Sequence, residues 1–148
     1  MKSLTRKQQL ELLNKYLPEN IVAHCIKVNK VAVFIGKEFM KKRIDIDIKS
    51  LDAASLLHDI ARIVDIRDFN SNFNVSEEKL EFWKQLREKY KGKNHEIAGA
   101  QILRDLNLNK EADLLIVHGY HNMDNLKTWE EKIICYSDKR VKHDKIVS

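Results

Sequence analysis

Helical periodicity with few interruptions is the feature that most constrains the fold of this chain. Residues of one stripe recur every three or four positions, as at Ile21, His24, Val28, Val31 and Ile35, of which all but His24 are apolar, and this spacing puts them on one face of a helix. Only one proline and four glycines occur among 148 residues, so helices can run without a break. The pattern predicts an all-α fold, a single-domain helical bundle over residues 1–148.

The periodicity divides the chain into successive predicted helices. Their ranges are 5–17, 19–42, 51–64, 76–90, 94–106, 110–121 and 128–141. The residue types that favour helix starts predict N-caps at Ser76, Asn94, Thr128 and either Asp47 or Ser50. The alternating stretch RIDIDIK at 43–49 has no second strand to pair with, and we predict a loop there.

Composition excludes several functional classes. No apolar run is long enough to span a bilayer, and the N-terminal stretch lacks the apolar block of a secretory signal. Cys25 and Cys135 lie in apolar helical contexts, and we expect buried free thiols in a cytoplasmic protein. The net charge of +5 suits anionic ligands such as nucleotides, but the lysines are scattered and give no strong signal for nucleic-acid binding.

One apolar stretch, LDAASLLHDIARIV, contains the adjacent titratable residues His58 and Asp59. Burying such groups without partners costs several kcal/mol, roughly 2–7 for a neutral polar group and more for a charge. Either the two residues satisfy each other and nearby backbone, or they bind something strongly charged.

Other polar side chains occupy similar positions on predicted helix faces. They are His24, His95, His118, His121 and Asp138. Gly99, one turn after His95, is expected to leave open space beside it, and His143 is assigned no role. Each position has a separate structural explanation, but a shared metal site accounts for all of them, because imidazole and carboxylate suit transition-metal and magnesium-like ions.

In this order and helical context, the residues resemble the HD superfamily of metal-dependent phosphohydrolases. The resemblance rests on His24, on His58–Asp59 within LLHDIAR and on Asp138 within YSDKRV, so it covers most of the chain. The histidines of KNHEIAGAQIL and IVHGYH match the fuller six-ligand pattern of two-metal members. The family often has HDIG where this chain has HDIA, and Ala61 is a small replacement compatible with tight packing.

The resemblance implies a divalent metal cofactor of one or two ions, with Fe, Mn, Co, Ni and Mg all candidates. The implied metal ligands are His24, His58, Asp59, His95, His118 and Asp138. In this arrangement Asp59 bridges two ions, the second held by His95 and His118. Either His118 or His121 could be the fifth ligand. We favour His118, which leaves His121 as a substrate-side group or an alternate ligand.

The activity implied is hydrolysis of a small phosphate ester or nucleotide by metal-activated water. Asp59, His121 and Arg62 are the expected catalytic residues. Arg62, one turn after His58, could bind a phosphate oxygen, although a surface salt bridge explains it equally well. Lys139, next to Asp138, is a weaker candidate for the same role.

The histidine spacing also resembles bacterial HD proteins that split dinucleoside polyphosphates, which is the most specific substrate expectation. A 5′-nucleotidase-like activity is equally compatible. Four aromatic residues near the expected pocket could stack on a base or belong to the core: Phe69, Phe73, Trp83 and Trp129. The expected partner is a small phosphorylated substrate, not a membrane, and a homo-oligomer is left open.

Two other classes compete with the enzyme hypothesis. The first is a non-catalytic HD-fold module that binds a metal and a nucleotide for regulation, against which the complete ligand set argues. The second is a purely structural helical protein whose histidines are core residues, which would need no metal.

Overall fold

The computed structural model describes residues 3–67, 69, 74–117 and 126–147. Seven α-helices occur in these ranges: α1 (Arg6–Tyr16), α2 (Glu19–Lys41), α3 (Ile48–Leu57), α4 (Glu77–Lys89), α5 (His95–Asp105), α6 (Asn109–Leu115) and α7 (Trp129–Lys139). A 3₁₀ turn covers Arg62–Val64, and two short strands, β1 (Val141–Lys142) and β2 (Lys145–Ile146), form a hairpin. The all-α class predicted from the sequence is confirmed.

The helix starts follow the predicted capping chemistry. Ser76 and Asn94 accept hydrogen bonds from backbone N–H groups in the first turns of α4 and α5, at 3.1 and 2.9 Å. Thr128 and Glu131 form a reciprocal capping box at the start of α7. Asp47, not Ser50, is the N-cap of α3. Side-chain caps therefore determine where these helices begin.

The third helix is shorter than predicted, because α3 ends at Leu57 and does not continue through His58 and Asp59. Beyond it, the backbone N–H groups of Ile60 and Arg62 bond carbonyls three residues back instead of four. These tighter turns keep residues 60, 61, 63 and 64 buried. Apolar composition alone therefore could not distinguish them from a continuing helix.

The C-terminal segment also differs from the prediction. Helix α7 ends at Lys139, not at 141, and β1 then pairs with β2 in antiparallel register, Val141 opposite Ile146. His143, in the turn between the strands, has a left-handed φ of 62°. The predicted loop at 43–47 is confirmed, and residues 48 and 49 begin α3.

Close packing between helices sets the positions of the elements around His58. A Cβ atom at Gly36 of α2 would lie 2.7 Å from Cδ2 of Leu51 in α3, so glycine permits the close approach of these helices. A Cβ atom at Gly99 of α5 would lie 3.2 Å from Leu115 of α6 and 3.7 Å from Ala61. The expectation of open space at Gly99 is therefore wrong, because α6 and the turn after α3 fill that space.

Two clusters of buried side chains stabilise this arrangement. The larger includes Leu57, Ile60, Trp83 and Leu103, and the smaller joins α2 and α3 to α7 through residues such as Ile134. Cys25 and Cys135 are free and buried, as predicted. None of the helices among the described residues combines the length and apolarity needed to cross a bilayer.

Candidate metal centre

Four predicted ligands from three helical elements meet at one point. They are His24, His58, Asp59 and Asp138, and each offers a ligating atom within 4.8 Å of those of the other three. Asp138 Oδ1 lies 2.9 Å from His24 Nε2 and 3.2 Å from His58 Nε2. Asp59 Oδ2 lies 3.7 and 3.4 Å from the same two nitrogens.

The local fold places these side chains together. Helix α2 carries His24 and packs against both α3 and α7. His58 is the C-cap of α3, and Asp59 lies in the tight turn that follows. Asp138 is the penultimate residue of α7. The early end of α3 thus puts the adjacent pair at the junction with α2 and α7.

Backbone carbonyls determine which nitrogen of each imidazole faces the cluster. His58 Nδ1 lies 2.8 Å from the carbonyl oxygen of Ser55, and His24 Nδ1 lies 2.8 Å from that of His143. A carbonyl only accepts hydrogen bonds, so Nδ1 carries the hydrogen in both rings. In the neutral ring Nε2 therefore presents a lone pair to the carboxylates, an orientation typical of metal-ligating histidines.

The resulting cluster has an excess of acceptors. Two Nε2 lone pairs and two carboxylate oxygens converge on one volume, and such groups repel one another unless a proton or a cation lies between them. Burial by itself lowers the pKa of His58, but the carboxylates of Asp59 and Asp138 outweigh it and raise that pKa to about 9. The donor set of two imidazoles and two carboxylates also fits a divalent transition metal.

The second oxygen of Asp59 faces a different histidine. Its Oδ1 atom lies 3.4 Å from Nε2 of His95, the first residue of α5. Asp59 therefore connects the other three residues of the cluster to His95. The structure brings five of the six predicted ligands together in this way. His118, the sixth, and His121 lie outside the described residues.

Asp65 is a neighbour of the site that the sequence analysis missed. Its Oδ2 atom accepts hydrogen bonds from both Nδ1 and the backbone N–H of His95, each at 2.8 Å. Burial raises the pKa of Asp65, but the contacts with His95 outweigh it and the net pKa is lowered. The Nδ1 hydrogen bond turns His95 Nε2 toward Asp59. The only sequence signal was that Asp65 lies three positions after Arg62.

Arg62 lies at the edge of the site and is partly exposed. Its Nη1 atom is 2.7 Å from Oδ1 of Asp65 and 3.4 Å from Nδ1 of His95. The ion pair with Asp65 is the salt bridge that the sequence analysis had kept as an alternative. It also holds a guanidinium beside His95. Lys139, the weaker candidate, has its Nζ atom 2.7 Å from Sγ of Cys135.

The aromatic residues proposed to contact a base have different surroundings. Trp83 is fully buried and donates a hydrogen bond from Nε1 to the carbonyl of Lys15, so it is a core residue and not a pocket wall. Trp129 is half-exposed, with its ring edge-on to Phe39. Phe69 is partly buried beneath the guanidinium of Arg87. Phe73 lies outside the described residues.

The fold and the site together define an all-α domain with a histidine–aspartate cluster that could hold a metal ion. The family model of the HD domain matches residues 21–141, a range that includes all the converging side chains. The chain belongs to the HD domain family, whose members bind divalent metals and are generally metal-dependent hydrolases.

Comparison with individual proteins adds a distant relative. The uncharacterized protein MJ0778 of Methanocaldococcus jannaschii is 25% identical to this chain over an aligned length of 159 positions, and the alignment covers 93% of this chain and 79% of that protein. No solved structure matches the chain significantly.

Proposed function

We propose that this protein is a metal-dependent phosphohydrolase that acts on a small phosphate ester or a nucleotide. The observation that carries the proposal is the convergence of His24, His58, Asp59 and Asp138, whose ligating atoms lie within 4.8 Å of one another. The outward hydrogen bonds of both imidazoles orient their lone pairs toward the carboxylates. Membership of the HD domain family supports the same class of reaction.

In this proposal the four residues would hold one divalent cation, and Asp59 would have a bridging role as a ligand shared with a second cation held by His95 and His118. The position of Asp59, with one oxygen toward His58 and the other toward His95, supports the bridging role. When bound, such cations supply Lewis-acid activation of water and neutralise charge on the phosphoryl oxygens. The candidate metals are Fe, Mn, Co, Ni and Mg.

Arg62 binds a phosphoryl oxygen of the substrate in this scheme. Among the described residues, the side-chain contacts of Arg62 with Asp65 and His95 use Nη1, and a guanidinium has further N–H groups in the same plane. Asp65 keeps the Arg62 side chain next to His95. His121 acts from the substrate side, for example by donating a proton to the leaving oxygen.

The proposed substrate is a nucleotide, and the most specific candidate is a dinucleoside polyphosphate. The net charge of +5 suits a polyphosphate. Phe69 remains a candidate for stacking on a base, and Trp129 is half-exposed on α7. A cytoplasmic location fits the two free cysteines.

A metal-by-substrate screen tests the proposal. Tag-free, metal-depleted protein is assayed against phosphate monoesters, nucleotides and dinucleoside polyphosphates, with Mn²⁺, Fe²⁺, Co²⁺, Ni²⁺ or Mg²⁺ added in turn. We expect turnover with at least one metal, its loss in Asp138→Asn and its retention in Asp45→Asn, because Asp45 is exposed. Nucleotide binding without turnover under every condition would instead indicate a regulatory HD-fold module.

A further inference from the structure

Glu96, the second residue of α5, is a buried carboxylate beside the site. The helix dipole stabilises an acidic residue in the first turn of a helix, and the side chain of such a residue is ordinarily exposed to water. The side chain of Glu96 is instead only 8% exposed. Asn94 already caps this helix through Ile97 N–H. The start of α5 therefore does not explain why Glu96 is buried.

The Glu96 carboxylate points toward His95. Its Oε1 atom lies 3.7 Å from His95 Nε2. Burial of a carboxylate is unfavourable unless hydrogen bonds or a positive charge compensate it. The same His95 nitrogen faces Asp59 Oδ1 at 3.4 Å.

His95 Nε2 is thus flanked by two carboxylate oxygens. The hydrogen on His95 is on Nδ1, because Nδ1 donates to Asp65. In the neutral ring Nε2 is a third acceptor, 3.4 Å from an oxygen of Asp59 and 3.7 Å from an oxygen of Glu96. The surroundings of His95 Nε2 therefore have an excess of acceptors like that around His24 and His58. One of these acceptors is the Glu96 carboxylate, which was not among the ligands predicted from the sequence.

We propose that Glu96 is a ligand of the second divalent cation, together with His95 and Asp59. The inference rests on the proposed function, since that function supplies the second cation. Carboxylate oxygens favour harder ions such as Mn²⁺ and Mg²⁺, whereas imidazole nitrogens favour later transition metals. A Glu96 ligand accordingly gives the second site a greater preference for Mn²⁺ than the site would have with Asp59 as its only carboxylate.

Manganese titration of the metal-depleted full chain tests this role. Calorimetry gives the number of Mn²⁺ ions bound and their affinities, and electron paramagnetic resonance detects the magnetic coupling of two ions that share Asp59. We expect two ions and a coupled signal in the wild type. In Glu96→Gln we expect the second affinity to fall by about tenfold or more, with loss of the coupled signal.

Two further variants control for folding and for charge. Asp105→Asn removes an exposed carboxylate from the same helix and should leave both affinities unchanged. Glu96→Asp keeps the negative charge at the start of α5 but withdraws the carboxylate by one methylene. It should fold like the wild type, as judged by circular dichroism, and bind the second ion more weakly. This variant decides the outcome if Glu96→Gln does not fold.

The outcomes separate this inference from the proposed function. Two ions bound with unchanged affinities in both Glu96 variants would overturn the ligand role of Glu96 and leave the hydrolase proposal intact. A single ion in the wild type, with no weaker site at millimolar Mn²⁺, would also overturn it. A folded wild-type protein that binds no divalent metal would overturn the proposed function itself.

Discussion

His24 Nε2 in α2 lies 2.9 Å from Asp138 Oδ1 in α7, although 114 positions of sequence separate the two residues. Both nitrogens of this imidazole have partners, because Nδ1 faces the carbonyl oxygen of His143 at 2.8 Å. A histidine placed between a carbonyl and a carboxylate has only one tautomer that ligates a cation through Nε2. The C-terminal hairpin that carries His143 therefore contributes directly to the geometry of the centre.

Asp65 is expected to orient His95, and its removal tests this positioning role. Asp65→Ala deletes the acceptor for Nδ1 of His95 and the partner of Arg62. We expect affinity for the second metal ion to fall by about 10–100-fold, the range typical of such outer ligand contacts. Asp113→Ala, which breaks an exposed pair with Arg104, is the matched control. Equal metal affinities in both variants would exclude the role.

His118 and His121 are expected to have different roles. Because His118 is the proposed second-site ligand, His118→Ala should reduce the amount of metal bound to about one ion per chain. His121→Ala should retain the metal but lower kcat or raise KM. Elemental analysis and steady-state kinetics on the same preparations distinguish the two effects. The opposite pattern would exchange the two assignments.

Protons and metal ions should compete for His58. Its pKa is about 9 in the metal-free chain, against about 6.5 in an unfolded chain. The proton therefore stabilises the metal-free fold fully below pH 6.5, and this contribution is lost as the pH rises through about 9. A ligand ion must displace the proton, so Ni²⁺ affinity should rise by up to about tenfold per pH unit across this window. Isothermal titration in several buffers measures this rise, and a flat profile would contradict ligation by His58.

Neither cysteine is expected to act as a nucleophile. Burial, reinforced by the Asp59 carboxylate, raises the pKa of Cys25 well above its usual range, which keeps it a neutral thiol. Cys25→Ala and Cys135→Ala should retain most activity, at a stability loss of about 1 kcal/mol each. A chelator should abolish activity in all three proteins. An inactive cysteine variant together with full activity in chelator would indicate thiol catalysis instead.

The sequence predicted the helical class and most helix starts because these depend on local chemistry. Ser76, Asn94 and Thr128 cap the helices that follow them, as their types and positions indicated. The end of α3 was not predictable in this way. The turns after Leu57 bury apolar side chains much as a helix would, and Ala61 in these turns lies close to Gly99 of α5, a contact between distant elements that the local sequence does not indicate.

The sequence predicted the principal residues of the candidate site better than it predicted the contacts that orient them. Backbone carbonyls orient His24 and His58, and a carbonyl is present at every position of any sequence. Asp65 and Glu96 are unremarkable acidic residues until the fold places them against His95. Residue type and order suggested the ligands, but only the tertiary structure shows what holds them in place.

Metal binding by the tag-free, metal-depleted protein tests the central claim most directly. The convergence of His24, His58, Asp59 and Asp138 predicts that the folded wild type binds at least one Mn²⁺ or Ni²⁺ ion per chain and that its thermal stability rises on binding. Asp59→Ala should lose this binding, and Asp45→Ala should keep it. A wild-type protein that is fully folded, yet remains metal-free and thermally unchanged after incubation with either ion, would contradict the account.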